Sequence, residues 1–220
     1  VSDVVGLAAF DLDDTLLAGD SDALWGEFLS DHVYGEEHRR AHRSYQEMYR
    51  AGTLDIHAFL RFQLAPLAEH PLPHLHEWRR TYLEEKIRPI LLPGARQLVA
   101  DHRRRGHTLL IVTSTNRFLT EPIAELFGIP HLIAPEPEMR AGRYTGDISG
   151  TPSFGPGKVS RLKAWLRGRP ESLEHCWFYS DSHNDLPLLD AVAHPVAVDP
   201  DTRLRTEAER RAWPIITLRP

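Results

Sequence analysis

Three short apolar runs in this chain each stop abruptly at a polar turn. Residues 4–10 (VVGLAAF) stop at Asp11, Leu109-Leu110-Ile111-Val112 at Thr113-Ser114-Thr115-Asn116, and Cys176-Trp177-Phe178-Tyr179 at Ser180-Asp181-Ser182. Runs of this length, bounded by turn residues, are what a strand buried on both faces of a parallel sheet requires. Val196-Ala197-Val198, ending at Asp199-Pro200, reads as a fourth. Helical patterns lie between them. Residues 95–105 follow Pro93-Gly94 and stop at Gly106, residues 119–127 stop at Gly128, and residues 159–166 stop near Gly168. Strand–turn–helix alternation predicts an α/β fold built on a doubly wound parallel sheet. Ligands of such sheets sit beyond the carboxyl ends of the strands, so the polar turns are expected to meet at one site.

Residues 20–90 break this alternation. They contain no strand run, but carry helical periodicity in Trp25, Phe28 and Leu29, and again in Phe59, Leu60 and Phe62. The expectation is a small all-helical cap, residues 20–90, inserted into a core made of residues 1–19 and 91–220. A length of 220 residues is sufficient for both. Residues 140–150, with turn residues and a Tyr-Thr pair, predict a hairpin.

The bulk properties narrow the function classes. A formal net charge of -5 argues against a nucleic-acid partner, which usually needs a basic face. No apolar stretch approaches the length that spans a bilayer, and no basic residue precedes the first run, so neither a membrane partner nor a secretory signal is expected. The single cysteine, Cys176, fits a reducing compartment, and a cytoplasmic setting is the expectation. The 13 histidines, with His38 and His42 four apart, lack acidic or cysteine partners at zinc-site spacing and read as a solvated face.

The first polar turn carries the chemistry. Phe10-Asp11-Leu12-Asp13-Asp14-Thr15-Leu16 places two carboxylates two residues apart directly after a strand, where extended chain would point both the same way. Like charges so close need a proton or a cation, and a hard divalent metal with oxygen ligands suits them. The other turns add a hydroxyl pair, Thr113 and Ser114, before a helix; a lysine, Lys158, after Gly155-Pro156-Gly157; and a second acidic pair in Ser180-Asp181-Ser182-His183-Asn184-Asp185.

In this order the four motifs resemble those of the haloacid dehalogenase superfamily, whose phosphatases open with Asp-x-Asp-x-Thr. The resemblance covers roughly residues 4–19 and 91–200. Asp14 and Ser180 stand where glycine is frequent. The position of the helical insertion resembles the phosphoserine-phosphatase-like branch. The resemblance implies a Rossmann-like core, Mg2+ as cofactor, and hydrolysis of a small-molecule phosphate monoester through an aspartyl-phosphate on Asp11. Asp13 would act as acid and base, Thr113 and Lys158 would hold the transferring group, and Asp11, Asp13, Asp181 and Asp185 would make the metal site. Asp20, Ser114 and Asn184 are the expected substrate-binding residues, and His183 lines the site as a further candidate. Arg50 and Arg61 are cap arginines in position to meet a substrate carboxylate. The expected partner is a small phosphorylated metabolite, taken by a monomer or homodimer. A phosphotransferase or phosphomutase of the same superfamily, or a catalytically silent phosphometabolite-binding protein, are the alternatives.

Overall fold

The computed structural model describes residues 5–220, apart from the side chain of Arg50. Val4, counted in the first strand above, lies outside the described residues, as does the Arg50 side chain. In chain order the main elements are β1 (Leu7–Phe10), α1 (Ser21–Leu29), α2 (Glu36–Ala51), α3 (Ile56–Glu69), α4 (Leu72–Tyr82), α5 (Pro93–Arg104), β2 (Thr108–Val112), α6 (Arg117–Phe127), β3 (His131–Ile133), β4 (Glu136–Arg140), β5 (Arg143–Ser149), α7 (Pro156–Trp165), β6 (Cys176–Ser180), α8 (Leu186–Leu189), β7 (His194–Val198), α9 (Thr202–Arg210) and β8 (Ile215–Ile216). The chain forms two compact units. One comprises residues 5–19, 90–135 and 151–220; the other comprises Asp20–Pro89 and Glu136–Gly150.

The first unit is built on a six-stranded sheet in the order β3-β2-β1-β6-β7-β8. Its paired strands are parallel throughout. All four residues of β1 are fully buried, as a central strand covered on both faces must be. Register aligns the strand ends: Phe10 is level with Ile111 on one side and with Tyr179 on the other. Chain order reverses direction at β1, so the crevice beyond its carboxyl end is the topological switch point of the sheet. Leu7, Ala9, Leu110, Val112, Cys176 and Phe178 form the middle of the core with side chains from α7, α8 and α9.

The turn chemistry explains where the helices start and stop. Asn116 caps α6 by accepting from Leu119 N at 3.4 Å, and Gly128 ends it in left-handed backbone, φ 64. α7 opens on Pro156, where the missing N–H costs nothing. Asp201 caps α9 by accepting from Leu204 N at 2.8 Å.

The second unit holds α1 to α4 and the β4–β5 hairpin. Asp20 caps α1, its Oδ1 accepting from the N–H groups of Asp22 and Ala23 at 2.9 Å each. Trp25 stacks on Phe28 at 5.5 Å, and Tyr82 lies edge-on to both. Beside them Gln63 bridges the Asp22 carboxylate and the His42 ring. Gly26 is what lets that ring lie against α1, because a Cβ there would come within 2.3 Å of it. His42 is therefore buried, not on the solvated face expected for it, and burial, then the neighbouring His38, push it down to about 4, so it is neutral at physiological pH. The hairpin packs on α3: a Cβ at Gly146 would meet Ala68 Cβ at 3.4 Å. This differs from the expectation in two ways. The hairpin begins at Glu136, and residues 136–150 group with the helical segment, so that unit is not all-helical and residues 91–220 do not all belong to the core. The cause is long-range packing on α3, which local pattern does not encode.

Candidate active site

Strand register brings the expected residues to one edge of the first unit. Asp11 follows β1 and donates its N–H to Tyr179 O at 2.9 Å. Thr113 follows β2 and donates its N–H to Ile133 O at 2.9 Å. Asp181 follows β6, and its carbonyl accepts from Asp201 N at 2.8 Å. Lys158 lies in the first turn of α7.

Lys158 is the hub. Its Nζ donates to Asp11 Oδ1 at 2.9 Å and to Asp185 Oδ2 at 2.7 Å, and all three side chains are buried. Ser180 Oγ also donates to Asp185 Oδ2, at 2.8 Å. A buried ammonium is tolerated because two carboxylates compensate it. Burial opposes the charged lysine, but the Asp11 and Asp185 carboxylates outweigh it and hold Lys158 above the usual ammonium range. The loop ahead of α7 is fixed by contact: a Cβ on Gly157 would come within 2.1 Å of Pro152 O. Ser153, fully buried, donates from Oγ to Thr113 O at 2.6 Å, while Ser114 Oγ donates to Ser153 O at 3.1 Å.

The acidic loop after β1 is tied on two sides. Thr115 Oγ1 donates to Asp13 Oδ2 at 2.8 Å. Thr15, also fully buried, donates from Oγ1 to Asp181 Oδ1 at 3.1 Å and accepts from Asp181 N at the same distance. Asp14 between them has φ 52. Left-handed backbone favours glycine and, after it, Asp and Asn, which is why this position accepts an aspartate. The chain turns there, and the Leu16 N–H returns to Leu12 O at 2.9 Å.

The carboxylates lean toward a cation. Burial first, then the Asp185 and Asp13 charges, raise Asp11 to about 7 against the pull of Lys158. Burial, then Asp11, Asp14 and Asp185, hold Asp181 well above the usual carboxylate range. Two desolvated carboxylates repelling each other in an all-oxygen donor set fit a hard divalent ion. Among the described residues no group of three or more His, Cys, Asp or Glu is arranged to hold a metal.

The remaining expected residues divide. Asn184 lies in the loop after β6, its N–H donating to Ser182 Oγ at 3.2 Å. His183 is held by Asp201, its Nδ1 and N–H both meeting Asp201 Oδ2 at 2.8 Å. Asp20 and Arg61 belong to the second unit. Sequence reasoning assigned no role to Thr15, Thr115, Ser153 or Ser180. Thr15, as the fixed last letter of its motif, and Ser180, as the first letter of the fourth, carried a signal.

Comparison with known proteins gives a consistent picture. Residues 8–190 match the model of the haloacid dehalogenase-like hydrolase family. A histidinol-phosphatase of Neisseria meningitidis serogroup C is 43% identical over 97% of this chain and 99% of its own length. A crystal structure of a protein of unknown function from Bordetella pertussis is 44% identical, covers 98% of this chain and 99% of its own, and superimposes with a TM-score of 0.92. A phosphoserine phosphatase, solved as a phospho-aspartyl intermediate analogue, shares the fold at 18% identity with a TM-score of 0.72, covering 98% of this chain and 94% of its own. Among the described residues no helix is long and apolar enough to cross a membrane.

Proposed function

The chain belongs to the haloacid dehalogenase-like hydrolase family as a phosphatase, and we propose that it hydrolyses a small phosphate monoester through an aspartyl-phosphate on Asp11, with L-histidinol phosphate as its substrate. The observation that carries the mechanism is the Lys158 ammonium lodged between Asp11 Oδ1 and Asp185 Oδ2 at 2.9 and 2.7 Å. A carboxylate nucleophile needs its charge offset before it can approach an anionic phosphate, and a fixed ammonium does this without reorganisation. The substrate comes from the 43% identity, over nearly the whole of both chains, to the Neisseria histidinol-phosphatase.

Asp11 attacks phosphorus, forming an O–P bond as the bond to the leaving oxygen breaks. Asp13, oriented by Thr115, gives its proton to the leaving oxygen. It then takes a proton from the water that attacks the aspartyl-phosphate, and Asp11 is released. The Thr113 hydroxyl and Lys158 hold phosphoryl oxygens, and electrostatic holding of this kind dominates phosphoryl transfer. Asp185, fixed by Ser180, keeps Lys158 in place. Asp11, Asp181 and the Asp13 carbonyl are the groups that would hold Mg2+. The bound ion would neutralise charge on the phosphate oxygens. Asn184 remains a substrate-binding candidate of this unit. Asp20, whose Oδ1 caps α1, and Ser114, whose Oγ donates to Ser153 O, are the other substrate-binding candidates.

The test is phosphate release from L-histidinol phosphate, phosphoserine and a panel of sugar and alcohol phosphates, with magnesium and with chelator. Magnesium-dependent turnover with highest kcat/KM on histidinol phosphate is the expected result. A different best ester removes the substrate; no turnover on any removes the hydrolase reading.

A further inference from the structure

The segment after β8 returns to the catalytic edge of the first unit. Leu218 is 9% exposed, and its carbonyl lies against Gly94, where a Cβ would come within 2.6 Å of the oxygen. The Leu218 N–H donates to Asp199 Oδ2 at 3.1 Å. Arg219, the next residue, donates from Nη2 to Asp14 Oδ1 at 3.0 Å, and its Nε stands 3.9 Å from Asp199 Oδ2. Asp14 and Asp199 both hold left-handed backbone, φ 52 and 42. Asp14 sits between Asp13 and Thr15, the residues that meet Thr115 and Asp181.

We infer that Arg219 is an electrostatic positioning residue of the phosphate site, balancing the Asp14 carboxylate so that an incoming phosphate anion does not meet an uncompensated negative charge beside the acidic loop. The inference rests on reading that edge as a phosphate site. Asp14 carries a charge that the catalytic groups do not neutralise: Lys158 is taken by Asp11 and Asp185. Arg219 and Asp14 are 41% and 46% exposed at the side chain, and an ion pair this open does little for folding. What it controls is local charge. Arg219 also meets Asp199, so the three groups together carry one negative charge; without Arg219 they carry two, and without the Asp14 charge none.

Equilibrium binding of two probes of opposite sign tests this at low ionic strength. The probes are Mg2+ alone and inorganic phosphate in saturating Mg2+. The proteins are wild type, Arg219→Ala, Arg219→Lys, Asp14→Asn and the Arg219→Ala/Asp14→Asn double variant, with melting temperatures checking the fold. Arg219→Ala should weaken phosphate about threefold and tighten Mg2+ about threefold, with Asp14→Asn doing the reverse. The double variant and Arg219→Lys should lie near wild type, and every difference should shrink in high salt. Weakening of both ions by Arg219→Ala, or a double variant no nearer wild type, would assign Arg219 to packing and overturn the inference. So would no change in either ion. Should Arg219→Ala melt early, Asp14→Asn carries the same test with opposite signs. A wild type that binds no phosphate overturns the site reading and the inference with it.

Discussion

Thr15 and Asp181 exchange two hydrogen bonds: Thr15 Oγ1 donates to Asp181 Oδ1 and accepts from Asp181 N, both at 3.1 Å. They lie far apart in sequence, on the loops after β1 and β6, and the pair locks those loops together. Thr15→Val keeps the shape and removes both bonds, leaving the part-buried Asp181 N–H without this partner. The cost to folding should be about 1–3 kcal/mol, read by chemical denaturation. Mg2+ affinity should fall about tenfold, because Asp181 loses the group that aims it. Unchanged affinity would detach Asp181 from the metal site.

Lys158→Met removes the cation from between Asp11 and Asp185 and leaves two buried carboxylates facing each other. Breaking a buried pair from one side costs about 3–5 kcal/mol. The loss should be largest at neutral pH and shrink as the pH falls and the carboxylates protonate. Activity should drop by about 10³ or more, since the nucleophile and the transferring group lose the same ammonium. A variant of full stability at pH 8 would contradict the arrangement.

Metal and protons should compete at this site. Burial, reinforced by the Asp185 and Asp13 charges, raises Asp11 to about 7, well above its unfolded value of 3.8. Between those values the native state binds a proton that the unfolded chain does not, so the contribution of Asp11 to stability falls as pH rises toward 7. A divalent cation replaces the proton. The rise in melting temperature on adding Mg2+ should therefore be small at pH 5 and grow toward pH 8. A shift that is constant over this range would mean that the metal does not meet Asp11.

Gly157→Ala tests the approach to α7. Its Cβ would come within 2.1 Å of Pro152 O, a backbone atom that cannot swing away. The first turn must shift and take Lys158 with it. Loss of stability of about 1–3 kcal/mol and a fall in kcat larger than any rise in KM are expected.

Much of this was legible in the sequence, for physical reasons. β1, β2, β6 and β7 announce themselves because strands buried on both faces need unbroken apolar runs. β3 and β8, of 3 and 2 residues, are too short for a pattern to register. The Asp11-x-Asp13 turn is legible because adjacent like charges after a strand demand an explanation. Ser153 and Arg219 are not, because a serine in a loop and an arginine near a chain end are ordinary until folding brings them to Thr113 and Asp14. The hairpin was legible as a hairpin, but its unit was not, since its packing partner α3 lies far earlier in the chain.

The central claim is that Asp11 becomes phosphorylated. Wild type, Asp11→Asn and Asp13→Asn should each be mixed with L-histidinol phosphate and Mg2+, quenched in acid, and weighed by intact-protein mass spectrometry. The account predicts that wild type quenched during turnover carries a fraction heavier by one phosphoryl group mapped to Asp11, that Asp13→Asn, lacking both the acid of the first step and the base of the second, turns over far more slowly, and that Asp11→Asn neither gains mass nor turns over. Asp11→Asn that still releases phosphate, or a phosphoryl group mapped elsewhere, would contradict it.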